Sequence, residues 1–270
     1  MPVTNLSASL LTDSDASFGG AAEAVMSKRS SLVASVYPVA AIDASTVDAM
    51  YGLFSENYED VNRPLFDRDL LAKSHVILVH DRSGRLRGFS TLVVWTVEQP
   101  SEPIRILFSG DTVIEPASWG DRSFLVKWLE TIGALHAVQP PVPFYWMLIS
   151  MSPRTYRALP LFFRRYYPSA DGDQSLAGLA GDVGRTFFPD RFDAARGLIL
   201  AAPSSGRLTA PLAVVPPKDA HRREVGFFIS RNPRFAAGDE LVCLARIDPD
   251  NIRPGLRRYF ERGRARRIPA

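Results

Sequence analysis

The pattern is clearest between His75 and Val97, where two aliphatic, β-branched runs, "HVILVH" and "LRGFSTLVVWTV", flank the polar cluster "DRSG". Runs of this length around Asp, Ser and Gly predict a β-hairpin, with Gly84 at a position of positive φ. A second break, "QPSEP", leads into "IRILFSGDTVI", which extends the hairpin to a three-stranded antiparallel meander. Upstream, Val33, Val36 and Val39 suit a first strand. Val47, Met50, Tyr51, Phe54 and Tyr58 then recur at helical spacing behind Ser45, the expected N-cap. "RPLFDRDLLAKS" predicts a second helix with Pro64 in its first turn.

Beyond the meander, a short loop around Gly120 opens a helix through "DRSFLVKWLETIGALHAV", with Phe124, Trp128 and Leu135 near one face and Leu125 and Ile132 beside it. "VPFYWMLIS" is an apolar strand. "SPRTYRALPLFF" enters a helix through Ser152 as cap and Pro153 at its first position, and Pro160 is expected to end or kink it. "AARGLILAA" and "DELVCLARI" predict two further strands, with a helix in "HRREVGFFISRN" between them and a basic helix from Pro249 onward. This order places the chain in the α+β class, with a mostly antiparallel sheet and helices on both faces. The expected organisation is a disordered arm over 1–30, one domain over 31–250 with an insertion between its last strands, and a basic C-terminal helix over 251–270.

Composition narrows the chemistry. The 270 residues carry 46% hydrophobic and 23% charged side chains, an ordinary globular balance. The net charge of +3 is concentrated in "RPGLRRYFERGRARRIPA", so the basic character is local and does not mark a nucleic-acid binder. One cysteine, Cys243, leaves no internal disulfide and suits a reducing cytoplasm. It lies in an apolar strand pattern and is expected to be a packing residue. His75, His80, His136 and His221 have no metal-ligand spacing, so no metal is expected. No apolar run reaches the roughly 20 residues of a membrane span, and no signal peptide is recognisable.

The hairpin "VILVHDRSGRLRGFSTLVVW", followed by strand, glycine loop and helix, resembles the GCN5-related N-acetyltransferase superfamily over about Val33 to Ile247. The resemblance implies a direct acyltransferase: an acyl group passes from a thioester of coenzyme A, or of phosphopantetheine on an acyl carrier protein, to an amine on a small molecule or peptide. It also implies that the turn before the long helix holds the pyrophosphate, which nominates Val113, Ile114, Trp119, Gly120, Asp121, Arg122 and Ser123. The family's phosphate motif falls on Ala117 to Arg122, where only Gly120 matches; Asp121 brings a negative charge to the turn and Arg122 replaces a small residue. The chain's extra length, degenerate loop and aromatic middle are similar to the larger relatives that attach fatty acyl groups during maturation of peptide natural products.

Amide formation from a thioester needs a neutral amine, a polarised carbonyl and a proton for the departing sulfur. Asp111 is the leading candidate base, because an Asp inside a β-rich strand is out of place by propensity; simple alternation puts it on one face with Ser109. Glu115, at the strand end, is the second acid. In the family a Tyr on the helix after the next strand protonates the thiolate, which nominates Tyr156 first and Tyr166 second. Glu56, Glu59 and Asp60 are expected to attract a cationic acceptor. Phe54, Trp95, Trp146, Phe162 and Phe163 are candidate walls of an acyl tunnel. The alternative is a non-catalytic relative that holds a partner with its basic tail.

Overall fold

The computed structural model describes residues 31–202 and 206–269, so the arm expected over 1–30 lies outside the described residues. Strand β1 (Val33–Pro38) leads to helix α1 (Ala44–Asn57), the short strand β2 (Tyr58–Glu59) and helix α2 (Arg63–Leu71). The cap of α1 is Asp43 and not Ser45: Asp43 Oδ1 accepts from the Thr46 N–H at 2.7 Å and from the Ser45 hydroxyl at 2.9 Å. A carboxylate there satisfies an orphan N–H and complements the helix dipole, which favours it over a hydroxyl one residue later.

The hairpin forms as the pattern requires, with β3 (His75–His80), β4 (Leu86–Val97) and Gly84 at φ +86°. Strand β5 (Ile104–Ile114) completes the meander, and all of its residues are buried. Helix α3 (Ser123–Val138) crosses over to β6 (Phe144–Ser150). Two short helices, α4 (Pro153–Tyr156) and α5 (Ala158–Phe162), follow in place of the single helix expected. Their break falls at Arg157, upstream of Pro160, because a proline inside a continuous helix would clash with the carbonyl four residues before it. Then come α6 (Ala177–Phe187), β7 (Phe192–Asp193), β8 (Leu198–Ile199), β9 (Arg207–Leu208), α7 (Arg223–Arg231), β10 (Glu240–Arg246) and α8 (Pro254–Arg264).

The main sheet has eight strands in the order β1-β3-β4-β5-β6-β10-β8-β7, and β2 pairs with β9 separately. Every neighbouring pair in the main sheet is antiparallel except β5 and β6. A parallel pair needs a long crossover, and α3 supplies it. This is the mixed, mostly antiparallel α+β architecture anticipated. One face of the sheet packs Val76, Leu78, Phe89 and Val113 against Met50, Leu53 and Phe54 of α1 and Phe66 and Leu70 of α2. The larger core joins the rest of the sheet to α3, α6, α7 and α8.

Helices α3 and α8 touch backbone to backbone: a Cβ at Gly133 would meet the Phe260 carbonyl, and one at Gly263 the Glu130 carbonyl. The basic terminal segment is therefore part of the core, with Leu256, Tyr259 and Phe260 buried. Its helix begins at Pro254, since Asp248 to Ile252 are held in a turn by Asn251 N–H to Asp248 O (2.9 Å) and Ile252 N–H to Asp248 O (3.0 Å).

Candidate active site

Strands β5 and β6 pair only from Arg105↔Phe144 to Phe108↔Met147. Past that point β5 runs on to Ile114 and β6 to Ser150 without pairing to each other, so the two edges diverge into a wedge. The Trp146 indole N–H donates to Ser109 Oγ across the start of this wedge at 2.8 Å. At the same level β5 carries a bulge: Ser90 pairs with Thr112 while Leu92 pairs with Ser109, so Gly110 and Asp111 together face Thr91. A bulge adds one residue and reverses the alternation beyond it. Ser109 therefore turns toward the Trp146 and Trp128 rings, whereas Asp111 turns toward α2, and the shared face expected for Ser109 and Asp111 does not form.

Asp111 is 3% exposed, and its Oδ1 has no hydrogen-bond partner among the described residues. Burial pushes its carboxyl well above the ordinary carboxylate range; the charge of Asp69 raises it further, Lys73 pulls it back, and Glu240 adds a smaller upward push. Lys73 Nζ bonds Asp69 Oδ2 at 2.7 Å and the Asp69 carbonyl at 3.1 Å, with both side chains almost wholly buried. Gly110 is required here, because a Cβ would collide with Thr91 Oγ1 and Lys73 Cε. Thr91 Oγ1 is likewise buried without a partner.

Sequence patterning did not single out Asp69, Lys73, Thr91 or Glu240. The one usable signal was the Asp69 to Lys73 spacing of four, which on a helix brings the two side chains together. The burial of the pair, which gives it weight, depends on where α2 lands on the sheet.

The turn before α3 differs from a bare backbone cradle. Gly120 has φ +90°. The Ser123 N–H at the start of the helix donates to Asp121 Oδ1 at 2.8 Å, and the Ser31 N–H donates to Asp121 Oδ2 at 3.1 Å. The chain's own carboxylate thus takes a position an anion would use. Left without partners, and buried at those atoms, are Arg122 Nε and Nη1 and Ser123 Oγ. Arg154 stacks on the Trp119 ring at 3.6 Å, and its Nη1 is also buried without a partner. Trp119 is itself fixed by donating from Nε1 to the Ile114 carbonyl at 2.9 Å. Val113 and Ile114 are buried, Val113 in the core on the α1 side and Ile114 in the larger core.

The remaining candidates are engaged elsewhere. The Tyr156 hydroxyl donates to the Pro168 carbonyl at 2.7 Å in a fully buried position, and desolvation raises its pKa far above an ordinary phenol. Tyr166 packs edge-on to Tyr156 at 6.3 Å, and burial raises its pKa too. Glu115 is ion-paired with Arg87 at 2.7 Å. Arg207 reaches Glu59 at 3.0 Å and Asp60 at 3.3 Å, tying β9 to β2. Trp95 stacks between Phe108 and Phe187, and Phe54 lies in the smaller core. Trp146, Phe162 and Phe163 pack on one another and on Trp128 with centroids 4.6 to 6.4 Å apart. Cys243 is fully buried in β10. Among the described residues no group of three or more His, Cys, Asp or Glu could hold a metal ion, and no helix is long and apolar enough to cross a membrane.

No protein-family model matches the sequence, and no curated protein matches it. Among solved structures, one similar chain is a conserved protein from Enterococcus faecalis V583 described as a "Probable N-Acyltransferase", with 13% identity and a TM-score of 0.36. The match covers 50% of this chain and 33% of that one, so this chain spans about a third of its length. Another is Arabidopsis thaliana NAA60 in complex with a bisubstrate analogue, with 13% identity and a TM-score of 0.35, covering 50% of this chain and 86% of that one.

Proposed function

We propose that the chain is an N-acyltransferase that moves a short acyl group from a coenzyme A thioester to an amine in the wedge between β5 and β6. The observation that carries this reading is the wedge itself: one parallel pair in an otherwise antiparallel sheet, parting at Phe108 and Met147, with the buried Asp111 carboxyl, its Oδ1 without a partner, at the bulge beside it. Diverging strand edges offer backbone N–H and C=O groups to an extended amide chain, the mode by which a peptide adds to a sheet edge. A pantetheine arm has amides of that kind.

The residues at the α3 turn suit the phosphate end of such a donor. Arg122, Ser123 and Arg154 present buried donors without partners, which would hold a phosphate by side chains rather than by the Ser123 N–H, which Asp121 already takes. The same donors suit a phosphopantetheine on a carrier protein; competition by free coenzyme A separates the two. The rings of Trp146, Phe162 and Phe163 occupy the region behind the wedge with their own contacts, which favours a short acyl group over a fatty one.

In this reading an alkylammonium entering from the α2 side favours ionised Asp111, which releases its proton to solvent. The Asp111 carboxylate then takes one proton from the nitrogen, the nitrogen bonds the acyl carbon, and the carbon–sulfur bond breaks. The sulfur is protonated from Asp111, and the second nitrogen proton leaves to solvent. The role falls to Asp111 rather than Tyr156 because the Tyr156 proton is committed to the Pro168 carbonyl.

The test is thiol release from acetyl-CoA with a panel of primary amines. Amine-dependent release by the native chain, reduced about 100-fold or more in Asp111→Asn with acetyl-CoA still bound, is the expected result for loss of general-base catalysis. No release with any amine and any short or long acyl-CoA would remove the proposal.

A further inference from the structure

The wedge has a second layer. Lys73, just past the end of α2, lies beneath the β5 bulge, with its Cε against the space a side chain at Gly110 would fill and its Nζ 5.8 Å from the Phe108 ring centroid. Its ammonium is held by Asp69 at 2.7 Å, and the two side chains are 2% and 3% exposed. A buried ion pair of this kind is weak evidence for a stabilising role, since well-packed apolar residues do as well or better. A buried lysine whose carboxylate partner sits on the same turn, placed against a strand irregularity that carries a buried acid with one oxygen lacking a partner, calls for another explanation.

We infer that the Asp69–Lys73 pair is a positioning device that sets the proton state of Asp111, with Lys73 favouring the ionised carboxylate and Asp69 opposing it. This rests on the acyltransfer reading for its role in turnover, but not for its electrostatics. The titratable groups that face Asp111 are Asp69 and Lys73 from the α2 side and Glu240 from β10; β4 contributes the neutral Thr91. Of the two charges Asp69 has the larger influence and Lys73 the smaller, so the pair together adds to burial in keeping the proton on Asp111, while each partner pulls in its own direction.

The signs of the effects make the inference testable. Lys73→Met removes a positive charge, so Asp111 holds its proton to higher pH and the rising limb of the pH–rate profile moves up. Asp69→Asn removes a negative charge, so the limb moves down. Each variant is expected to displace the limb measurably, with the sign given above. A purely structural pair would lower activity in both variants without displacing the limb in opposite directions.

Lys73→Met leaves Asp69 buried alone and risks misfolding. The comparison of Asp69→Asn with Asp69→Asn/Lys73→Met therefore reads the lysine by itself in a neutral background. Glu240→Gln is expected to move the limb down by less than Asp69→Asn.

The experiment measures each variant's pH profile with acetyl-CoA and the best amine. In parallel it follows the Asp111 carboxyl directly, as the infrared carbonyl band that disappears in Asp111→Asn. Opposite shifts for Lys73 and Asp69 in the infrared titration support the inference. Shifts of the same sign, or no shift in the Asp111 band, overturn it. If the native protein turns over no thioester, the acyltransfer reading falls, while the infrared titration still decides the inference.

Discussion

A carboxyl that is buried in the fold and exposed in the unfolded chain couples stability to pH, and Asp111 makes that coupling unfavourable above the acidic range. Its pKa is raised in the fold, so between the unfolded and folded values the native state binds more protons than the unfolded one, and stability falls as pH rises through that window. Asp111→Asn removes the cost. We expect the variant to melt at a higher temperature than the native chain at pH 7, with the gap closing as pH falls toward the ordinary carboxylate value, even as turnover is lost. Equal melting temperatures at pH 7 would place Asp111 in a solvated setting and remove its claim to be an unusual acid. Tyr156 should behave in the opposite sense. Phenylalanine there leaves the Pro168 carbonyl unpaired, at a cost of about 1 to 3 kcal/mol, while amine-dependent thiol release continues. Loss of turnover with unchanged stability would instead return Tyr156 to the chemistry. The sequence singled out Asp111 because aspartate is foreign to a β-rich strand, but it could not reveal the bulge. The extra residue at Gly110 and Asp111 arises from pairing with β4, a contact that strict alternation along one strand does not contain.

At the scale of elements, the turn into α3 and the seam between α3 and α8 carry separate expectations. Arg122→Ala removes a charged donor that would bond one phosphate, an interaction of about 1.5 to 3 kcal/mol, so KM for acetyl-CoA should rise about 10-fold or more with kcat little changed. An unchanged KM would mean that the donor does not reach this turn. Gly263→Ala opposes two effects: alanine gains up to about 1 kcal/mol of helix propensity, but its Cβ would strike the backbone of Glu130. A carbonyl in a neighbouring helix cannot move aside as a side-chain tip can, so the clash should win by about 1 to 3 kcal/mol, read as a lower denaturant midpoint. Helices α1, α2 and α3 were legible from their periodicity, as was the hairpin from its turn chemistry. The split of α4 from α5 was half legible: Pro160 announced a disruption, yet the chain breaks at Arg157, one turn earlier than the proline itself. The Asp43 cap shows the same limit, since Asp43 and Ser45 are both good capping types and only the first helical N–H groups select between them.

For the molecule as a whole, the concentration of arginine at the end of the chain invited a picture of a free basic tail, and the packing replaces it. Glu130, 8% exposed on α3, receives Lys127 at 2.9 Å, Arg262 at 3.3 Å and Arg266 at 3.5 Å, so arginines of the tail face inward to a carboxylate. Arg257 pairs with Asp250 at 3.2 Å and Arg264 with Glu261 at 2.9 Å. Ile252 bridges to Phe163, and Asn251 bonds the Arg165 and Arg246 carbonyls, which joins the tail to the chain leaving α5 and to the end of β10. Charge counting saw the arginines but not Glu130, whose role depends on α8 crossing α3. Deleting residues 251–270 would therefore expose far more than a docking segment. Ile252, Leu256, Tyr259 and Phe260 are buried, and large apolar side chains contribute about 1.5 to 3 kcal/mol each, against a total stability of roughly 5 to 15 kcal/mol. The shortened chain should lose its cooperative thermal transition, as followed by circular dichroism, and bind no acetyl-CoA. A shortened chain that melts as the native one does would restore the free tail, and with it the reading in which the arginines hold an acidic partner. The charge itself can be tested without cutting the chain: Arg267→Gln lies on an exposed position and should leave the melting temperature within a degree or two, since surface changes of this kind fall within about 0.5 kcal/mol.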